Sequence, residues 1–266
     1  LCVRPSHRRK VAIFIDGSPF VLTMPSTFAE FLSSTEDYYQ PFMMGSFIRL
    51  IRYLSFLVTL LFPAVYVAII TFHHDMIPTT LLISVMAQRE AVPFPAVVEA
   101  LIMEITFEIL REAGVRMPRA VGGTISIVGG LVIGQAAVEA GVVSQFMVIV
   151  VALTAMASFV TPVHTFAIAS RLLRFIYIIL GGALGLYGIL LGLIILVGHL
   201  TSLRSFGIPY MVPFAPFVLS EHKDVWVRFP MWAMKKRAPS LKTEAPFLQP
   251  HAEPPEPPPP RRRRRR

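Results

Sequence analysis

Residues 98–114, VEALIMEITFEILREAG, set four carboxylates, Glu99, Glu104, Glu108 and Glu112, into a largely apolar run. At 100° per residue, Glu104, Glu108 and Glu112 fall within about 80° of one another on a helix, and Glu99 stands about 140° from Glu104. Such a stripe has two uses. It can lie along a membrane interface with its acids in bulk water. Alternatively, it can face a water-filled cavity inside an assembly, because carboxylates at membrane depth are expensive and usually mark a pathway. Several copies around an axis would turn the stripe into rings of acid, which favour cations. The spacing leaves both open. Arg111 lies three residues beyond Glu108, the separation of a helical ion pair.

Other reactive side chains carry less. His73, His74 and Asp75 are adjacent on a connection, and adjacent residues make a poor metal cage without a distant further ligand; they read as an interfacial loop. Cys2 is the single cysteine, which excludes an internal disulfide and a multi-cysteine metal site. There is no glycine loop followed by Lys-Ser/Thr, no nucleophile–base pair and no cofactor motif. The expectation is a protein that is not an enzyme and takes no cofactor.

The elements that must position the acids belong to a membrane. Of 266 residues 54% are hydrophobic and 15% charged, and mean hydropathy is +0.62; that mix places the chain in the membrane class. Charge-free windows cover 53–72, 121–138, 141–163 and 175–198, against the roughly 20 apolar residues that a bilayer core requires. The reading is an all-α polytopic membrane protein of about four to six membrane-embedded helices, with an interfacial amphipathic helix. Glycines punctuate two windows. Gly129, Gly130 and Gly134 in one, and Gly181 and Gly185 in the other, permit close helix approach.

The net charge of +9 is uneven. Six Lys/Arg lie in residues 1–52 and thirteen follow Leu203, so both ends of a membrane body are basic. This predicts that both ends stay cytoplasmic, and argues against nucleic-acid binding, which would interleave the charge with aromatics on a folded surface. An even number of crossings follows. Arg111, Arg116, Arg119, Arg171 and Arg174 also prefer the inside, and no simple four-crossing path puts all of them there. Five crossings satisfy the loops but leave the tail outside. An even count is favoured, with 78–112 only partly inserted.

Outside the apolar body, residues 11–15 and 20–23 read as strands with Asp16-Gly17 between them, a hairpin signal. A lone hairpin is marginal in water, so this is the expected edge of a larger soluble domain. Residues 1–45 are assigned to that remnant and its linker, 46–200 to the transmembrane domain, and 201–237 to an interfacial aromatic and Pro segment with a basic end. Residues 238–266 are a Pro/Arg-rich tail that cannot fold alone. Arg261, Arg262, Arg263, Arg264, Arg265 and Arg266 are expected to meet anionic lipid headgroups.

Five stretches, VAIFIDGSPFVL (11–22), QREAVPFPAVVEALIMEITFEILREAGVRMP (88–118), VIGQAAVEAGVVS (132–144), SRLLRF (170–175) and SLRSFGIPYMVPFAP (202–216), resemble the A subunit of GerA-type spore germination receptors. They are co-linear across roughly 11–237. Most of that family's soluble N-terminal domain is missing from the chain, Ala91 stands where the family's loop is expected to carry glycine, and the Pro/Arg tail matches no feature of it. The resemblance implies a multi-pass protein of the endospore inner membrane. It implies homo-oligomers, a transporter-like B subunit thought to bind nutrient, and a C lipoprotein. It further implies a ligand-gated cation channel subunit that triggers germination. A non-conducting scaffold and a secondary transporter remain the alternatives, the latter disfavoured by the lack of an internal repeat. A stage V sporulation AF-type paralogue is compatible with the same residues.

Overall fold

The computed structural model describes residues 11–17, 21–116, 130, 132–217, 222 and 225–229. The chain divides into two compact units, one formed by Leu1–Leu50 with Leu203–Arg266 and the other by Ile51–Ser202.

In the first unit, β1 (Val11–Phe14) pairs antiparallel with β2 (Val21–Met24), in the register Val11↔Met24. Gly17, at φ +83°, takes the left-handed conformation that the Asp-Gly pair predicts. α1 (Phe28–Phe31) starts at a capping box built from Thr27 and Glu30. A second short hairpin, β3 (Arg204–Ser205) with β4 (Ile208–Pro209), turns through Phe206 and Gly207, both at positive φ. The aromatic segment after it packs onto α1: Phe28 meets Tyr210 and Phe214 edge-on, and Phe214 meets Trp226. Arg228 fastens the segment further. Its guanidinium donates to the carbonyls of Asp37 and Gln40 at 2.6 Å each and lies over the Tyr38 ring.

The second unit is a helical bundle. α2 (Phe42–Phe72) enters it and runs unbroken past Pro63. α3 (Thr79–Arg89) and α4 (Ala96–Arg116) follow, then a helical stretch at 132–139, here α5, then α6 (Gln145–Phe159) and α7 (His164–Ser202). By length and composition, Phe42–Phe72 and Thr165–Ser202 are apolar enough to cross a membrane. Leu60, Ala64, Val67, Ala100, Met103, Met147, Val151, Tyr177 and Ile178 share one core.

α7 is not a rod. At 1.5 Å per residue a straight helix of that length would extend about 58 Å. Gly185, at φ +64° and ψ −149°, breaks it, in a region open essentially to glycine alone. Beyond it the helix folds back on itself. A Cβ on Gly188 would strike the Leu180 carbonyl, and one on Gly192 would lie 3.1 Å from the Tyr177 ring. These pairs stand eight and fifteen residues apart, about 12 and 22 Å along a straight helix. The charge-free window 175–198, read from the sequence as a single span, therefore holds the bend of an antiparallel helical hairpin, and the two halves of α7 on either side of Gly185 measure about 31 and 25 Å.

Contacts fix the helix directions. Phe56 stacks on Phe166, and Gly185 abuts Phe72 and His73, so α2 and the first half of α7 run parallel. α4 runs against α7, with Val97 beside Gly182 at one end and Glu108 on Arg171 toward the other. It runs with α6, from Glu99–Ser144 to Arg111–Ser158. The returning half of α7 thus carries the chain back to the end of the bundle at which Ile51 enters.

Of the glycines singled out from the sequence, Gly181 lies where a Cβ would stand 2.7 Å from the Ala64 carbonyl, whereas a Cβ on Gly134 or Gly130 would meet Val148 or Phe107 at ordinary contact distance. Gly129 lies outside the described residues, as do the hexa-arginine tail and the whole of 238–266.

Candidate functional site

The acids of α4 meet four different environments, and arginines answer all of them within the same chain.

Glu99, in the first turn of α4, is fully buried. Its Oε1 accepts from both the backbone N–H and the hydroxyl of Ser144, at 2.5 Å each, and Arg89 stands 3.9 Å from its Oε2. Ser144 is the N-cap of α6 and in turn accepts from the N–H of Met147. A carboxylate is thus held at the start of α6, where unpaired N–H groups and the helix dipole favour negative charge. Removing it in Glu99→Ala orphans the Ser144 N–H. The expected cost is about 2–3 kcal/mol, read as a lower thermal midpoint in detergent with faster amide exchange at 144–147. Glu99→Gln, which keeps an acceptor, is the milder change.

Glu104 is 1% exposed and Arg174 equally buried; Arg174 Nη2 lies 3.0 Å from Glu104 Oε2. One turn on, Glu108 is bound on one side by Arg171 at 2.5 Å and on the other by Arg111 at 3.3 Å, and its side chain is 37% exposed. Arg111 also donates to the Ser158 hydroxyl of α6 and lies over the Phe159 ring. The i,i+4 step from Glu104 to Glu108 matches the i,i+3 step from Arg174 back to Arg171 on the antiparallel helix. The result is two ionic rungs between α4 and α7. Glu112, the most exposed acid of the stripe, pairs at the surface with Arg116, at 2.9 and 2.7 Å.

The Arg111–Glu108 pair expected from spacing forms. Arg89, Arg171 and Arg174 are the partners that sequence reasoning missed. Arg171 and Arg174 were visible as two cations on one helix face, but their spacing gains meaning only once α7 is known to lie antiparallel to α4. Ser144 and Ser158 carried no signal of their own.

The outward faces of the helices differ. α2, α6 and α7 present Leu54, Leu57, Ile149, Leu153, Ile176, Ile179, Leu190 and Ile194. α4 presents Val98, Ile105 and Ile109, then Glu112 and Arg116. Its neighbour α5 exposes Gln135, which donates to Glu139 at 3.0 Å. Among the described residues, α4 and α5 expose Glu112, Arg116, Gln135 and Glu139 beside Val115, Val132 and Ile133, and the segment around α3 exposes Asp75, Thr79, Thr80, Ser84 and Glu90.

Residues 8–240 match the family described as Bacillus/Clostridium GerA spore germination protein. Among curated relatives, the chain is 57% identical over 247 residues to Spore germination protein KA of Bacillus subtilis, covering 93% of the chain and 45% of that protein. It is 54% identical over 228 residues to the uncharacterized membrane protein YfkQ of the same organism, 86% of the chain and 44% of that protein. It is 45% identical over 241 residues to Spore germination protein GerLA of Bacillus cereus, 91% of the chain and 49% of that protein. The chain spans about half the length of these relatives. No solved structure matches it.

Proposed function

The chain belongs to the GerA family of spore germination proteins, and on that premise we propose that it is a membrane subunit of a spore germinant receptor, several copies of which surround a path for monovalent cations. The observation that carries this reading is the charged outward edge of α4, where Glu112 with Arg116 and the partly exposed Glu108 stand in one line. Charge facing lipid is expensive, so a helix bearing Glu112, Arg116 and the edge of Glu108 on its outward face is best satisfied toward water or a neighbouring subunit. In this arrangement Glu108 and Glu112 are the acids on the path. Glu99 and Glu104 stand behind them and fix α4 in place. The B and C subunits of the receptor belong to the same proposal.

The directions of α2, α4, α6 and the two halves of α7 support a path of six crossings, with the apolar window 121–138 that leads into α5 supplying the remaining one; among the described residues Phe42–Phe72 and Thr165–Ser202 are, by length and composition, the helices apolar enough to cross. Residues 1–50 and those after Ser202 then share the cytoplasmic side, together with Arg52, Arg111, Arg116 and Arg171. Of the arginines in the described bundle, Arg89 lies at the other end, against Glu99. The sixth crossing, created by the reversal at Gly185, removes the conflict that a five-crossing path leaves with the basic tail.

Conductance of the full-length protein in liposomes tests the reading. Glu108→Gln with Glu112→Gln is expected to lower the cation-over-anion permeability ratio several-fold while assembly is retained. An unaltered ratio in a correctly assembled oligomer would remove α4 from the path. No conductance at all, from a receptor that still germinates spores, would favour the scaffold role.

A further inference from the structure

The cluster formed by Glu104, Glu108, Arg111, Arg171 and Arg174 is short of negative charge. Three guanidinium groups face two carboxylates, an excess of one positive charge. The next pair along α4, Glu112 with Arg116, is internally neutral. Residues 53–72 of α2 hold no charge, and α6 brings hydroxyls to this level, Ser158 among them.

The hydrogen-bond inventory is short in the same direction. Arg174 Nε and Nη1 are buried without a partner among the described residues, as is Glu104 Oε1. Together the two nitrogens carry three N–H groups against one carboxylate oxygen. The Tyr177 hydroxyl, one turn beyond Arg174, is also buried and unpartnered. Both Glu104 and Arg174 are about 1% exposed, where an unbalanced charge and unmade hydrogen bonds carry their full desolvation penalty. Water would satisfy the N–H groups but leave the charge in place. An acceptor that is itself a monovalent anion answers both deficits.

We propose that Arg174, with Arg111 and Arg171 around it, binds one small monovalent anion between α4 and α7. The open edge of Glu108 is its way in. The inference is independent of cation conduction, since it places the anion inside each protomer and needs no central axis.

Sodium chloride and sodium bromide, compared with sodium gluconate at equal ionic strength, test this on the full-length protein in detergent. The thermal midpoint is expected to rise saturably with either halide, by about 3–5 °C at tenfold excess over the dissociation constant, and not with gluconate. Arg171→Gln, which makes the cluster formally neutral, is expected to abolish the rise, whereas Arg116→Gln, outside the cluster, keeps it. Equal midpoints in halide and gluconate would overturn the proposal, as would a halide response that survives Arg171→Gln. Should Arg171→Gln fail to fold, the halide comparison on the unaltered protein decides by itself.

Discussion

Arg174→Ala is expected to destabilise the bundle by about 3–5 kcal/mol, because it leaves the Glu104 carboxylate buried and without its cation. Glu104 and Arg174 are the most enclosed of the ionic rungs. Neither side chain can turn to water without parting α4 from α7. Removing both charges is a different experiment. A double replacement of Glu104 and Arg174 by Met removes both members of the pair and leaves the net charge of the cluster unchanged, and apolar side chains of similar volume commonly match or exceed a buried pair in stability. The single variant should therefore be far less stable than the double. Unfolding of the purified protein in detergent measures both. A single variant as stable as its parent would mean that the pair is solvated, and the two rungs would lose their role in locking α4 to α7.

Gly188→Val is the second large effect. A Cβ there would strike the Leu180 carbonyl, and backbone cannot rotate aside as a side chain can. The two halves of α7 must separate, and with them the packing of Ile189 into the core. Overpacking of this kind costs about 1–3 kcal/mol for a modest clash, and the loss is larger where the obstruction is main chain. Gly185→Ala acts at the same place by another route, since φ +64° with ψ −149° strains any L side chain by about 1–3 kcal/mol. Its Cβ would also lie 2.8 Å from the His73 ring. Topology gives an independent readout. With the glycines of α7 left in place, native Cys2 and an introduced Leu203→Cys should react with a membrane-impermeant thiol reagent from the same side. Labelling from opposite sides would show that α7 crosses once, and the six-crossing path would be abandoned.

Much of the architecture was legible in the residues. The run lengths announced long apolar helices, of which Phe42–Phe72 and Thr165–Ser202 are apolar enough to cross a membrane, because hydrocarbon thickness sets the number of apolar residues needed and composition shows whether they are there. Asp16-Gly17 announced the first hairpin, since a tight turn needs φ > 0 and few residues tolerate it. The acidic stripe and the Arg111–Glu108 pair are likewise local, fixed by helical periodicity alone. The glycines at 181 and 185 signalled close contact, but not with what. Glycine tells of an approaching backbone and carries no address.

What tertiary structure alone decided is which groups meet across long separations. A helix wheel placed Glu104 with Glu108 and Glu112, and Glu99 apart from them. The folded bundle divides them otherwise: Glu99 and Glu104 are buried, Glu108 stands at an edge, and Glu112 is at the surface. That division depends on α6 and α7 lying on either side of α4, from positions 45 to 70 residues away in the chain. The reversal within α7 is of the same kind. Hydropathy measures how apolar a window is and is blind to direction, so one span of 24 apolar residues and two antiparallel halves read alike until a single backbone torsion at Gly185 separates them.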